Sequence, residues 1–400
     1  VLPIIIFFSI ILSLFNKKIR KGFLGRFQSI SRLKSFNKEK FSNIYWFHSS
    51  SYGEYQQVET LIDKLKKSDP NIGIITSFFS PSGFENVKDN NIDLKIYLPF
   101  DFILTSYKAL KYVKPKKIFF TSSDFWPNFL FAANNLNITT ILTSARYRNS
   151  YKIFLNMFDK IFCISENDYQ LMRRNIANKK ITVTGNPRYD RILNNLNNIK
   201  YKIKSDIKEE NKILILASMW MEDNKIIFDN LIGSSQINSF EKIIIVPHEI
   251  SEKYINYYCS ALEERNFTFK VIDSYQNFET FSEKFIIVNK VGFLSKLYMQ
   301  TSITYVGGGF SKNGIHNIIE PAAASNPVIF GPNFLNSNKI DAQGLINISG
   351  GFSIESFNVF KEKINWLLNT ENFKYSSDRC KSFVMENSGS TEKIIEVINE

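Results

Sequence analysis

Glu54 stands where a carboxylate could accept a proton. It closes the run His48-Ser49-Ser50-Ser51-Tyr52-Gly53-Glu54, which follows a short apolar stretch and opens a helix. Small residues and a glycine there let the backbone pass close to a ligand. The helix dipole favours a first-turn carboxylate whatever its task. In a cleft, within reach of a hydroxyl, the same group is what a group transfer needs as general base.

A second dense region runs Val306-Gly307-Gly308-Gly309-Phe310, then Gly314-Ile315-His316-Asn317-Ile318-Ile319-Glu320-Pro321, then Phe330-Gly331-Pro332-Asn333. Glycines after a strand leave backbone N–H groups free, and a helix beginning near Asn317 would aim its dipole at a phosphate. Glu320, one turn in, could accept hydrogen bonds from ribose hydroxyls. A glycine cluster is also what a tight turn requires. Neither a Walker lysine motif nor the strict G-x-G-x-x-G pattern is present, which argues against a phosphate-hydrolysing motor and an ordinary dehydrogenase.

The three histidines, His48, His248 and His316, all fall at or just beyond a strand end in this reading. They show no paired ligand spacing and no cysteine partner, so they read as hydrogen-bonding groups, and no metal site is expected. Cys163, Cys259 and Cys380 lie far apart and suggest neither a disulfide framework nor a thiolate site.

These residues need elements to hold them. Short apolar runs alternate with longer amphipathic segments, the pattern of repeated strand–helix units and a parallel sheet. Strands are predicted at 44–48, 72–78, 94–98, 117–121, 139–143, 160–164 and 181–184. A second series follows at 213–217, 243–247, 267–272, 285–288, 303–306 and 327–330. A polar Asn/Lys-rich stretch separates the two. The expected division is an anchor over 1–15, an N-terminal Rossmann-like domain over 16–200, a linker over 201–211, a C-terminal Rossmann-like domain over 212–370 and a helical segment over 371–400. In open parallel sheets ligands bind beyond the carboxyl ends of the strands, so a cleft between two facing doubly wound domains is the expected site.

At 400 residues, 44% hydrophobic and 22% charged, the chain has the composition of an ordinary globular protein of two domains. Its formal net charge of +12 matters most where it clusters. Lys17, Lys18, Arg20, Lys21, Arg26, Arg32 and Lys34 follow the apolar run 1–15. That order is the reverse of a cleavable secretory signal. The run is shorter than the ~20 residues of a comfortable span, and Pro3 disfavours a helix interior. Anchoring is therefore expected, with the body on the cytoplasmic side and the basic cluster on anionic headgroups.

Taken together, these motifs resemble the Kdo transferases of lipopolysaccharide synthesis, inverting glycosyltransferases of the GT-B fold. The resemblance runs nearly end to end. It includes Ser51-Tyr52-Gly53-Glu54, residues 76–83 (Thr-Ser-Phe-Phe-Ser-Pro-Ser-Gly), 97–101 (Tyr-Leu-Pro-Phe-Asp), 125–128 (Phe-Trp-Pro-Asn), 183–190 (Val-Thr-Gly-Asn-Pro-Arg-Tyr-Asp), Ala217-Ser218 and the glycine region. It implies an enzyme of the inner membrane's cytoplasmic face that moves 3-deoxy-D-manno-octulosonate (Kdo) from CMP-Kdo to the lipid A precursor, lipid IVA. Glu54 would be the general base, with Ser51, Gly53 and Asp124 binding or positioning the acceptor. Ser218, His248, Gly308, Gly309, Asn317 and Glu320 would hold the donor. Neither a metal, a cofactor nor nucleic acid is implied.

The chain departs from the family pattern at three places. Pro247-His248-Glu249 replaces Pro-Arg-His, so that anion neutralisation there would fall to His248 or another cation. Asp124 replaces a Glu, and Met219-Trp220-Met221-Glu222 stands where a His is usual. The competing expectations are another GT-B lipid glycosyltransferase, a nucleotide-sugar epimerase, or a catalytically decayed membrane scaffold.

Overall fold

The computed structural model describes residues 16–176, 181–199, 212–277, 280–334 and 336–399. The expected anchor and linker lie outside these residues. Among the described residues, no helix is long and apolar enough to cross a membrane.

The chain forms two compact units. One runs through Arg191 and takes in the chain from Ser388 onward; the other is Ile192–Asn387.

In the first unit, β1 (Asn43–Ser49), β2 (Ile72–Phe78), β3 (Leu94–Tyr97), β4 (Lys117–Thr121), β5 (Thr139–Ala145), β6 (Lys160–Cys163) and β7 (Ile181–Val183) form one parallel sheet. The strand order is β3-β2-β1-β4-β5-β6-β7. Every residue of β2 is buried. Helices cover both faces of such a sheet, so its strands read as continuous apolar runs. The order reverses direction between β1 and β4. The loops leaving those two strands therefore part to opposite sides and open a crevice, and they carry Glu54 and Asp124.

The second unit repeats the plan with β8 (Ile213–Met219), β9 (Lys242–Pro247), β10 (Phe269–Ile272), β11 (Phe285–Val288), β12 (Ile303–Val306), β13 (Val328–Phe330) and β14 (Gly351–Ser353). All pair in parallel in the order β10-β11-β9-β8-β12-β13-β14. The reversal here falls between β8 and β12, whose loops hold Ser218 and the three glycines. β14 had no counterpart among the predicted strands, because its short Gly-Phe-Ser run has too little apolar length to stand out.

The tail expected to form one helical segment over 371–400 divides between the units. The helix Thr370–Glu386 belongs to the second, and Ser390–Asn399 packs in the first. Ile394 and Ile398 join the buried cluster of Phe47, Leu61, Ile74 and Phe119. Asp190 fixes the entry to that last helix, accepting from the N–H groups of Gly389 and Thr391, both at 2.6 Å.

The basic segment that follows residues 1–15 is a 19-residue helix, Lys17–Ser35. It docks beside β3 through buried Leu33 and through Ser29, whose hydroxyl donates to Tyr97 O at 2.7 Å. Leu24 and Phe27 remain 56% and 63% exposed, which leaves an apolar strip among cations on one side.

Candidate functional site

Each unit gathers its chemistry at the reversal point of its own sheet. In the first, β1 ends in His48 and Ser49, and Ser51 caps the one-turn helix Tyr52–Tyr55 by accepting from Glu54 N–H at 3.4 Å. Glu54 folds back so that its Oε2 accepts from Ser50 N–H at 2.6 Å. That contact is a variant of the capping box, in which the third helical residue returns to the backbone ahead of it.

Asp124 reaches the same place from the loop after β4. Its Oδ2 lies 3.1 Å from Nε2 of fully buried His48, close enough for charge interaction although the pair lacks hydrogen-bond alignment. On the other side of the ring, His48 Nδ1 is 2.9 Å from Ser77 Oγ, which also accepts from Trp46 Nε1–H at 2.8 Å. The Ser77 hydroxyl keeps a second lone pair as well as its own proton, so it can pair with His48 Nδ1 in either tautomer of the ring.

This environment drives the two carboxylates apart. Burial, then the like charge of Asp124, push Glu54 up to about 7, against hydrogen bonds from the Ser50 and Ser51 backbone. At Asp124 burial also acts upward and is the largest influence. The contacts from His48 and Ser50 together outweigh it and hold the group below the usual carboxylate range. Asp124 therefore keeps its charge at neutral pH, while Glu54 exchanges a proton there.

Gly53 is exposed, and a Cβ on it would meet nothing within 4 Å. No contact within the protein explains that glycine. Two further motifs of this unit meet directly. Asp101 accepts from Phe129 N–H at 2.8 Å and its carbonyl from Asn128 Nδ2 at 2.7 Å, which caps the helix Pro127–Asn135.

The second unit presents a different arrangement. Ser218 sits at a register break between β8 and β9 with φ +53, a left-handed conformation that a non-glycine residue holds only under constraint. The glycine loop packs beside it. Gly308 has φ +96, and a Cβ there would fall 2.2 Å from Gly314 O; a Cβ on Gly309 would fall 2.6 Å from Gly331 Cα.

Backbone crowding against backbone thus accounts for these glycines. The expectation of free N–H groups changes accordingly. Gly307 N–H donates to Ala217 O and Gly308 N–H to Asp223 Oδ2, both at 2.8 Å, and Gly309 N–H is the one without a protein partner among the described residues.

Asp223, which the sequence reading passed over, ties this loop to β8. It is fully buried and accepts from Trp220 N–H at 3.0 Å, Gly308 N–H at 2.8 Å and the Tyr305 hydroxyl at 2.6 Å. Burial still raises it above the ordinary value, although these three bonds act downward.

The helix expected from Asn317 is a single turn, Ile319–Ala323. A turn that short builds little dipole, so the argument from a helix terminus aimed at phosphate does not hold here. Asn317 and Glu320 nevertheless come together. Glu320 accepts from Asn317 Nδ2 at 2.8 Å and from the Ser295 hydroxyl at 2.7 Å, and each oxygen keeps lone pairs for another donor.

His248 stacks on Trp220 with centroids 3.9 Å apart. Burial lowers its pKa, with Glu249 acting weakly the other way. It is thus largely neutral at neutral pH, which works against the expectation that it replaces a cation. Trp220 and Ser295, neither of them proposed from sequence as a site residue, complete the group together with His316, which read there as a hydrogen-bonding group.

Comparison with known proteins bears on both units. Residues 22–191 match the family model described as 3-deoxy-D-manno-octulosonic-acid transferase (kdotransferase). A curated 3-deoxy-D-manno-octulosonic acid transferase of Haemophilus influenzae is 26% identical over 382 residues, 88% of this chain and 86% of that protein. Among solved structures, a UDP-GlcNAc 2-epimerase from Neisseria meningitidis bound to UDP-GlcNAc has a TM-score of 0.61 at 13% identity, over 89% of this chain and 99% of that one. A glycosyltransferase from Rickettsia africae has a TM-score of 0.53 at 17% identity, over 89% and 97%. These structural likenesses establish the GT-B type of fold and nothing finer.

Proposed function

We propose, from its likeness to the 3-deoxy-D-manno-octulosonic acid transferases, that this protein is a glycosyltransferase that moves Kdo from CMP-Kdo to a hydroxyl of lipid IVA with Glu54 as general base. The observation that carries the reading is the pairing of Glu54, pushed up to about 7, with an Asp124 kept charged. A base titrating near the working pH accepts a proton readily and still has its basic form populated.

In the proposed step the acceptor oxygen attacks the anomeric carbon of Kdo as Glu54 takes its proton. The bond from that carbon to the CMP phosphate oxygen breaks, and CMP leaves with the electron pair. Attack opposite the leaving group inverts the configuration. Ser51 orients the Glu54 turn, Asp124 sets its proton affinity, and open Gly53 gives the acceptor room. Ser218, His248, Gly308, Gly309, Asn317 and Glu320 are the proposed donor contacts, with Glu320 and Asn317 suited to ribose hydroxyls and Gly309 N–H to a phosphate oxygen. No metal or cofactor enters the proposed step. The helix Lys17–Ser35 would rest on anionic lipid at the cytoplasmic face of the inner membrane, through Leu24, Phe27 and its cations.

The test is Glu54→Gln. The variant should fold and bind CMP, yet lose Kdo transfer by roughly two to four orders of magnitude, the scale of a lost general base. Near-normal turnover would remove Glu54 from the mechanism. Because an epimerase shares the fold, a donor screen separates the second reading: turnover of uridine-diphosphate sugars without use of CMP-Kdo would favour it.

A further inference from the structure

Trp220, in the loop after β8, and His316, in the loop after β12, meet edge to edge. The indole Nε1–H donates to His316 Nε2 at 3.0 Å, and the rings lie 15° from coplanar with centroids 6.1 Å apart. An indole nitrogen only donates. The His316 nitrogen facing it must therefore present a lone pair, and the neutral ring carries its proton on Nδ1.

The surroundings hold the ring in that pose. His316 N–H donates to Gly307 O at 3.3 Å, and a Cβ on Gly308 would fall 3.4 Å from His316 Cδ2, so the imidazole rests against the glycine loop. His248 lies across both rings, 3.9 Å from the Trp220 centroid and 4.5 Å from that of His316. Nδ1 has no protein partner among the described residues.

We propose that Trp220 is a positioning residue that fixes His316 as its Nδ1–H tautomer, so that the second unit offers a neutral N–H donor to an anionic oxygen of an acidic sugar nucleotide. The inference rests on the donor reading above. Donor and cation are exclusive roles here. A protonated His316 would donate from both nitrogens and give up the Trp220 bond, whereas the neutral ring keeps the bond and avoids placing a half-buried charge.

Long-range 1H–15N correlation of the histidine side chains tests this directly, since only three histidines need assignment. At pH 7.5 the wild-type His316 should show the Nδ1–H pattern, and adding CMP should move its Nδ1 resonance. Trp220→Phe should release the ring toward the Nε2–H form, leave the His48 signals unchanged, and weaken CMP binding about tenfold, the scale of one hydrogen bond to a charged group.

Amide replacements provide an independent check. His316→Asn places its NH2 near the Nδ1 position and should keep CMP affinity, whereas His316→Gln places it near Nε2 and should not. Wild-type His316 in the Nε2–H or imidazolium form, or a Trp220→Phe variant with unchanged tautomer and affinity, would overturn the proposal while CMP binding stands. A wild-type chain that binds no CMP refutes the donor reading instead, and with it the ligand half of this inference.

Discussion

Asp124 Oδ2 lies 3.1 Å from His48 Nε2, and that contact helps keep Asp124 charged beside a Glu54 pushed up to about 7. Glu54 accepts protons only when deprotonated, so kcat/KM for Kdo transfer should fall as pH drops through about 7. Replacing Asp124 with Asn removes the like charge and should move that acid limb downward by roughly one pH unit. A pH–rate profile of the two proteins measures the shift, and coincident limbs would exclude the coupling.

Stability follows the same titration with a definite sign. The folded-state value of Glu54 lies above its ordinary 4.5, so its contribution to stability is present below that value and is lost as pH rises through about 7. Glu54→Gln removes the titration. The variant should be more stable than wild type by roughly 1–3 kcal/mol at pH 8, at about 1.4 kcal/mol per unit with a discount for water access, and the gain should vanish near pH 4. Urea denaturation at the two pH values checks it.

Asp223 satisfies three donors from two loops and a strand. Its replacement by Ala leaves buried donors without acceptors, which should destabilise the second unit by about 2–4 kcal/mol and reduce CMP affinity together. If calorimetry finds the variant as stable as wild type, the glycine loop does not depend on this carboxylate.

Ile394 is 1% exposed within the core of the first unit. Ile394→Ala should cost that unit about 2–4 kcal/mol, seen as an earlier unfolding transition that leaves the transition of the second unit in place.

For the helix Lys17–Ser35, Leu24→Asp with Phe27→Asp should lower binding to phosphatidylglycerol vesicles by about tenfold and leave binding to neutral phosphatidylcholine little changed. Co-sedimentation at two salt concentrations distinguishes this from general loss of folding.

Most of the fold was legible because a strand buried on both faces reads as an uninterrupted Ile/Val/Phe run. Ile72–Phe78, Phe285–Val288 and Ile303–Val306 appear with their predicted bounds. Glu54 and Asp124 could be nominated separately, but their proton affinities are set by burial and by each other's neighbourhood, Asp124 acting on Glu54 and His48 on Asp124, contacts between separate loops and strands that no local spacing reveals. Asp223 was missed because an acidic residue at a helix start looks like any cap. The glycines after β12 were read as leaving backbone N–H groups free for a phosphate, and the structure packs Gly308 and Gly309 against other backbone. Gly53, by contrast, keeps open space.

The helix Ser390–Asn399 supplies part of the first unit's interior from the far end of the chain, and Lys117 and Lys160 donate to its carbonyls at Ile398 and Val397. On the ribosome, the seven strands of that unit emerge early yet lack a wall of their core until the whole second unit and this helix have followed. The second unit, whose residues are contiguous, can finish folding first. Premature termination would therefore strand the half carrying Glu54, although every residue of its sheet had already been made.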